Sequence, residues 1–131
     1  MSSDWYEDIV IFHREVMEDS FPDTPHRPPL KVVALRATLI QEEVKETLEA
    51  MEHGSITGVA DGIADSIVVL LGTAVAYGID MREIWNEVHK TNMAKRGGLI
   101  RADGKKLKPE GWIPPDIKGI IDKLKVKRRC G

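Results

Sequence analysis

The chain has 131 residues, which is enough for one domain with a modest hydrophobic core. Charged residues make up 31% of it and apolar residues 42%, proportions that are ordinary for a folded soluble protein. With a formal net charge of −2, the protein has no general attraction to nucleic acid or to anionic lipid. We therefore expect a single domain over residues 1–131, with no nucleic acid and no membrane as a partner.

Two features favour a cytoplasmic location. Residues 1–8 are acidic and lack the basic start and the apolar run of a secretory signal peptide. The single cysteine, Cys130, cannot form a disulfide within the chain, which fits a reducing compartment.

Apolar residues recur at three- and four-residue steps along the first half of the chain, which predicts helices. Asp4 is a candidate cap for a first helix that runs to about Asp19. Its predicted inward face is Trp5, Ile9, Phe12 and Val16. Four prolines within residues 22–29 then exclude regular helix. A second helix is predicted from Leu30 to about Met51.

A third helix is predicted from Ile56 to about Tyr77, between His53-Gly54-Ser55 and Gly78. Within it begins an uncharged stretch of 14 residues, 66–79, which is too short to span a bilayer. We expect this helix to be buried in the core. A fourth helix is predicted from Asp80 to about Lys95, with Met81, Ile84, Trp85 and Val88 facing inward.

The rest of the chain is irregular in pattern. Residues 96–115 are rich in glycine and proline, which predicts a loop with at most a short hairpin at Asp103-Gly104. A short helix is predicted from Asp116 to about Leu124, followed by a mobile basic tail over residues 125–131. No segment alternates between apolar and polar residues as strands do, so we predict an all-α fold.

Three glutamates of the second helix form the motif Glu42-Glu43-x-x-Glu46. At about 100° per residue they share one face of the helix, where their charges repel one another. A solvated acidic face would show the same pattern, so this motif alone does not define a site.

Asp61 and Asp65 are the only charged residues between positions 59 and 79 of the apolar third helix. Burying an unpaired carboxylate is costly, so such a pair is normally protonated, salt-bridged or bound to metal. Salt bridges to Arg or Lys, or the helix dipole near Asp61, are the structural alternatives to metal binding.

Together the five carboxylates offer oxygen ligands only, which favours Mg²⁺ or Mn²⁺ over zinc. No histidine follows a glutamate by three residues, and this argues against a di-iron bundle. Complementary positive charge follows the fourth helix, at Lys95, Arg96, Arg101, Lys105, Lys106 and Lys108. These cations could bind a polyphosphate or could serve only the helix dipole. Trp112 is the one aromatic residue among them, too few for a base-stacking surface.

In this order, the motifs resemble the all-α nucleoside triphosphate pyrophosphohydrolase superfamily, the group of MazG and phosphoribosyl-ATP pyrophosphohydrolase. The resemblance covers about residues 4–117 and is strongest to single-domain phage and bacterial members. It rests on Glu42-Glu43-x-x-Glu46, Asp61-Gly-Ile-Ala-Asp65, Asn92-Met-Ala-Lys95, Asp103-Gly-Lys-Lys-Leu-Lys-Pro and Trp112-Ile-Pro-Pro.

The resemblance implies a four-helix bundle with an irregular C-terminal loop and a short final helix. It implies an active site completed by oligomerisation, in a homodimer or a homotetramer. The implied reaction hydrolyses a nucleoside triphosphate to its monophosphate and pyrophosphate, by attack of a metal-activated water on the α-phosphorus. If a phage encodes the protein, its location would be the host cytoplasm.

The resemblance also implies residue roles. Two or more Mg²⁺ or Mn²⁺ ions would be held by Glu42, Glu43, Glu46 and Asp65. Glu42 or Glu43 would act as general base. The glutamate of the family's usual Glu-x-x-Asp motif is replaced here by Gly62, and Asp61 offers a carboxylate one residue earlier as a candidate ligand. Asn92 and Lys95 would contact the substrate, and on the first helix Trp5 and His13 are candidates to face the base.

Three functions remain open from the sequence. The first is hydrolysis of (d)NTPs, with a preference for dGTP or GTP if the chain belongs to the small phage branch that MazZ represents. The second is hydrolysis of phosphoribosyl-ATP. The third is a non-catalytic helical oligomerisation or nucleotide-sensing module that uses the carboxylates as a metal clip.

Overall fold

A computed structural model describes residues 4–127 of the chain. Within them there are five helices and no strand: α1 (Trp5–Glu15), α2 (Leu30–His53), α3 (Ile56–Ala76), α4 (Met81–Met93) and α5 (Ile117–Lys127). The predicted all-α fold is confirmed. The chain divides into two compact units, Met1–Asp80 with α1, α2 and α3, and Met81–Gly131 with α4 and α5. The expectation of a single domain stays a prediction.

Side-chain caps and left-handed residues set the helix ends in the first unit. Asp4 Oδ1 accepts a hydrogen bond from the Glu7 backbone N–H at 3.0 Å and so caps α1. Gly54, with φ 71°, ends α2, and the Ser55 hydroxyl accepts from the Gly58 N–H to start α3. The two predicted boundaries at Gly54 and Ser55 are therefore confirmed.

The prediction that α1 runs to about Asp19 is wrong. The helix ends at Glu15, and the chain turns at Glu18, which has a left-handed φ of 53°. The Asp19 backbone N–H then donates to the His13 carbonyl at 2.9 Å, six residues back. This turn closes the end of the helix and brings Asp19 beside it.

The core of the first unit lies between α1 and α3. Ile9 and Val10 of α1 pack with Val75, which is only 1% exposed. Partly buried hydrophobic residues surround them: Tyr6, Phe21, Val68 and Leu71. The predicted inward face of α1 is wrong except at Ile9, because the helix turns Trp5, Phe12 and Val16 outward and buries Val10 and His13 instead.

Helices α2 and α3 approach one another closely at Gly62. A Cβ atom there would meet the Thr47 hydroxyl and would lie 2.9 Å from the Thr47 Cα. At Gly72 a Cβ atom would instead meet the ends of two side chains, the Arg36 guanidinium and His13 Nε2, the latter at 2.7 Å. Glycine at position 62 therefore limits the separation of the two helices, whereas glycine at position 72 leaves room for these two side chains.

The expectation that α3 is a buried core helix is not met within the single chain. Its buried residues are Gly62, Gly72, Ala74 and Val75, whereas Ile56 is 87% exposed. Helices α1 and α2 pack against it, and two neighbours cannot enclose a helix that is apolar nearly all round. Among the described residues, α3 is the one helix whose length and composition would let it cross a membrane, a property shared by core helices of soluble proteins.

The second unit pairs α4 with α5. Ile84 is buried as predicted, but Trp85 is exposed rather than inward. The Asp116 carboxylate accepts from the Gly119 N–H at 3.0 Å and so starts α5. That helix continues to Lys127, three residues beyond the predicted end, so the first residues of the predicted mobile tail are helical. The rest of that tail, residues 128–131, lies outside the described residues.

The loop between α4 and α5 is folded into a short hairpin. Ile100 and Lys106 form an antiparallel bridge, and the Arg101 N–H donates to the Lys105 carbonyl at 2.7 Å. Gly104, with φ 93°, occupies the turn that Asp103-Gly104 predicted. Arg101 and Asp103 form a bidentate ion pair across this turn, at 2.6 and 2.8 Å. The predicted hairpin is confirmed.

The close approach at Gly62 makes a testable prediction. Replacing Gly62 by alanine should destabilise the protein by about 1–3 kcal/mol, because the new methyl group forces the α2 backbone at Thr47 to move. The measurement is the free energy of unfolding in urea. Gly58→Ala is the matched control, since the same change one turn earlier meets side-chain atoms 3.0 Å away. Equal stability of the two variants would contradict the proposed contact.

Candidate active site

The three glutamates of α2 differ in their surroundings. Glu42 and Glu46 are exposed, whereas Glu43 is half-buried and points one carboxylate oxygen, Oε2, into the protein. That oxygen is buried and has no hydrogen-bond partner among the described residues. The backbone beneath it is fixed, because the Thr47 hydroxyl donates to the Glu43 carbonyl at 2.8 Å and lies 3.3 Å from the Ser66 hydroxyl.

Burial and neighbouring carboxylates raise the pKa of Glu43 above its ordinary value. Desolvation is the largest cause, followed by the charges of Glu46 and Asp65, a hydrogen bond with Glu46, and the charge of Glu42. Helices α2 and α3 therefore bring at least four of the five predicted carboxylates into electrostatic contact. Asp61 is exposed on α3 and is not among the charges that act on Glu43.

Gly62, three residues before Asp65, leaves no room for a side chain. At this position α3 presses against the Thr47 backbone so closely that even a methyl group would collide. A larger carboxylate side chain would separate the two helices. Asp61, at the preceding position, is free of this constraint because its side chain is exposed.

The carboxylates fit a divalent cation in their chemistry. Within residues 4–127, no group of three or more His, Cys, Asp or Glu side chains already stands at ligand distances. However, the unpaired Glu43 Oε2 and the mutual repulsion of hard oxygen ligands are what a bound Mg²⁺ or Mn²⁺ would relieve. Glu42, Glu43, Glu46 and Asp65 are the residues that would hold it.

The two α1 candidates have different settings. Trp5 is 60% exposed, so its ring is accessible to a ligand. His13 is 6% exposed, and its Nδ1 lies 2.7 Å from Asp19 Oδ2. Phe12 packs against the His13 ring edge to face, with centroids 5.6 Å apart. His13 is thus held firmly in the α1–α3 contact, and its role towards a base stays a prediction.

Arg36 is a buried cation that sequence reasoning missed. It is 8% exposed and donates from Nη2 to the Val69 carbonyl at 2.7 Å and from Nε to the Thr73 hydroxyl at 3.2 Å. Burial lowers its pKa, and the charge of Asp19 partly opposes this. Arg36 lies two helical turns before Glu43, so it adds positive charge to the seam between α2 and α3 at about 10 Å from that residue along the axis. The signal in the sequence that could have identified Arg36 was a charged residue among the regularly spaced apolar residues of α2.

Asn92 lies in the last turn of α4, in the second unit, and Lys95 follows two residues after this helix ends at Met93. Asn92 is exposed, Lys95 is half-buried, and the Lys95 N–H donates to the Asn92 carbonyl at 3.1 Å. The Trp112 indole N–H donates to the Thr91 carbonyl at 2.7 Å, so the loop returns to the same turn. Contact between Asn92 or Lys95 and a substrate stays a prediction.

The raised pKa of Glu43 gives a prediction for the metal-free protein. Since folding raises this pKa, the folded state binds more protons, and stability falls as pH rises from about 4.5 through the folded pKa. Glu43→Gln should remove this pH dependence and make the protein more stable at neutral pH. Urea unfolding in chelator across this pH range is the measurement. Glu52→Gln, an exposed change on the same helix, should leave the pH dependence as in the parent. If Glu43→Gln lowers stability at neutral pH, the repulsion is not as described.

Comparison with known proteins assigns the family. Residues 12–92 match the phosphoribosyl-ATP pyrophosphohydrolase family, and this segment includes α2, α3 and nearly all of α4. No curated protein matches the chain. The match covers well over half of the sequence and contains the four clustered carboxylates. The chain therefore belongs to the phosphoribosyl-ATP pyrophosphohydrolase family, within the MazG-like all-α superfamily, and is a hydrolase that acts on the phosphoric anhydride of a nucleotide.

Proposed function

We propose that the protein hydrolyses nucleoside or deoxynucleoside triphosphates to the monophosphate and pyrophosphate, with Mg²⁺ or Mn²⁺ as its cofactor. The observation that supports this most directly is Glu43, whose buried oxygen lacks a partner within the described residues and faces other carboxylates. MazG-like pyrophosphohydrolases are generally dependent on divalent metals. A non-catalytic metal clip would show the same cluster, and the pyrophosphohydrolase family of the chain is what favours the enzyme.

We infer the roles of the chain's own residues from the resemblance to the family and from the surroundings of each side chain. Glu42, Glu46 and Asp65 supply charge and oxygen ligands around Glu43, and a bound divalent cation would lower the pKa of an attacking water and neutralise phosphate charge. Of the two candidate bases we favour Glu43, because it is half-buried beside the other carboxylates, whereas Glu42 is exposed. Lys95 and Asn92 would orient the phosphates. Asp61 would be a further candidate ligand, although its charge is not among those that act on Glu43.

Phosphoribosyl-ATP is the second candidate substrate, because the family that matches carries its name. Both substrates present the same anhydride between the α- and β-phosphorus atoms, so the clustered carboxylates do not favour one over the other. We propose the simple triphosphates because the segments Asn92–Lys95 and Trp112–Pro115 follow the pattern of single-domain MazG-like members. A preference for dGTP or GTP belongs to the same proposal, with Trp5 and His13 as candidate base contacts.

A second copy of this chain is proposed to complete the site. The apolar residues that the single chain leaves exposed on α2 and α3 form a set suited to helix packing: Leu35, Val44, Leu48, Met51, Ile63 and Leu70. Soluble monomers rarely expose so much apolar surface on neighbouring helices. A homodimer or homotetramer would cover it.

The first test is a substrate panel with separate detection of pyrophosphate and orthophosphate. With Mg²⁺ or Mn²⁺, at least one (d)NTP should yield pyrophosphate, and excess chelator should abolish the activity. Phosphoribosyl-ATP is included beside the eight common nucleotides. Faster turnover of phosphoribosyl-ATP would favour the second candidate. Stepwise release of orthophosphate, or full activity in chelator, would contradict the proposal.

The second test is the mass of the protein in solution. Light scattering coupled to gel filtration should give two or four chain masses at micromolar concentration, because association buries the apolar face. Leu48→Glu and Ile63→Glu, which place charge on that face, should lower the mass, whereas Lys118→Met, a change at an exposed residue of α5, should not. A single-chain mass for the parent would contradict the proposal.

A further inference from the structure

We propose that Trp112 is a positioning residue whose indole ring, anchored on the last turn of α4, holds Lys95 and Lys108 together as a paired grip for the phosphate chain of the nucleotide. This inference rests on the proposed function, in which Lys95 contacts phosphate. It adds a second phosphate-binding lysine, Lys108, and a residue that places both.

The anchor of Trp112 is a single well-directed hydrogen bond. Its Nε1–H donates to the Thr91 carbonyl at 2.7 Å, and Thr91 itself is buried. The adjacent residue is Asn92, and Lys95 follows within one turn. The Trp112 backbone N–H also donates to the Pro109 carbonyl at 3.1 Å, which closes the turn before it. The ring is therefore fixed against the segment that carries both predicted substrate contacts.

Both ammonium groups lie over this ring. Lys95 Nζ is 5.4 Å and Lys108 Nζ 4.8 Å from the ring centroid, within the range of cation–π attraction. The ring offsets part of the repulsion between two cations held near one another. A phosphate chain carries several negative charges and would relieve that repulsion completely. The arrangement is thus favourable to a polyanion and less so to a neutral ligand.

The hairpin brings Lys108 to this place. Gly98 lies so close to the Leu107 carbonyl that a Cβ would collide with it, and the Leu107 N–H donates to the Leu99 carbonyl at 2.7 Å. Because of these contacts the chain turns back on itself, so that Lys108 lies near Lys95. Within residues 4–127 neither lysine forms an ion pair, whereas Arg101 in the same loop is paired with Asp103. The two lysines over the ring are therefore available to a ligand.

The experiment is a kinetic double-mutant cycle on the full-length protein with its best nucleotide and Mg²⁺. Trp112→Leu removes both the ring and the indole N–H, Lys95→Ala removes one ammonium group, and the double variant removes both. If the ring acts through Lys95, each single change raises KM by about fivefold or more with a smaller effect on kcat. Because Trp112 also places Lys108, the loss in the double variant should be smaller than the product of the two single losses, and adding Trp112→Leu to a variant that lacks both lysines should cost no more than about twofold. Trp112→Phe, which keeps a ring, should recover part of the loss.

A second readout separates phosphate binding from general damage. Inorganic pyrophosphate is the probe: its inhibition constant should rise by about fivefold or more in Trp112→Leu and in Lys108→Met, since both weaken the grip. Lys108 is exposed, so its replacement cannot disturb the core. Lys118→Met, which removes an exposed lysine paired with Asp122 on α5, is the matched control and should leave this constant unchanged.

The outcomes distinguish this inference from the proposed function. If Lys95→Ala lowers activity but Lys108→Met leaves pyrophosphate inhibition as in the parent, the paired grip is wrong and the pyrophosphohydrolase proposal stands. A loss of about fivefold on adding Trp112→Leu to a variant that lacks both lysines would show that Trp112 does not act through them, and would overturn the inference in the same way. If Lys95→Ala has the kinetics of the parent on every nucleotide, the role of Lys95 in the proposed function fails and the inference falls with it.

Discussion

The separation of α2 and α3 is the constraint on which the site depends. At Gly62 the Thr47 backbone leaves no space for a Cβ atom, so the two helices approach closely there, and Gly72 leaves room for the buried Arg36 side chain. The charges of Glu42, Glu46 and Asp65 then act on Glu43 at this seam. A wider seam would let each carboxylate reach water separately, and the pKa of Glu43 would return towards its ordinary value. Close packing therefore creates the electrostatic property that the proposed chemistry uses.

The same packing has an unfavourable consequence for the metal-free fold. Glu43 is desolvated and repelled by its neighbours, which reduces stability at neutral pH. The short connection Gly54-Ser55 and the caps at both helix ends keep α2 and α3 together in spite of this. Functional sites often carry such strain, because groups placed to bind a charged ligand repel one another without it.

The sequence predicted the helices well because their boundaries depend on local chemistry. Asp4, Ser55 and Gly54 cap or end helices through bonds within a few residues, and each is visible in the sequence. The end of α1 was missed because Glu18 adopts a left-handed conformation that a non-glycine residue rarely shows. The inward side of α1 was missed because its periodic apolar series, Trp5 to Val16, does not face the core of the single chain.

The candidate site was predictable in part for a related reason. The five carboxylates could be grouped on neighbouring helices from helical periodicity and from the low charge of α3, whereas the clash at Gly62 depends on how closely a second helix approaches. Arg36 was missed because its partners, Val69 and Thr73, are more than thirty residues away in sequence.

The two units position their charged side chains by different means. Carboxylates intended for a small, hard cation must converge within ligand distances, and rigid helices can place them so. Ammonium groups that meet a flexible phosphate chain need less precision, and long lysine side chains on a loop provide it. A loop without a core still has to keep its cations in one region. In the second unit, Trp112 supplies that order through one hydrogen bond to Thr91 and a ring that two lysines share. The Trp112 ring thus keeps the lysines of the loop together, and close packing at glycine keeps the carboxylates of α2 and α3 together.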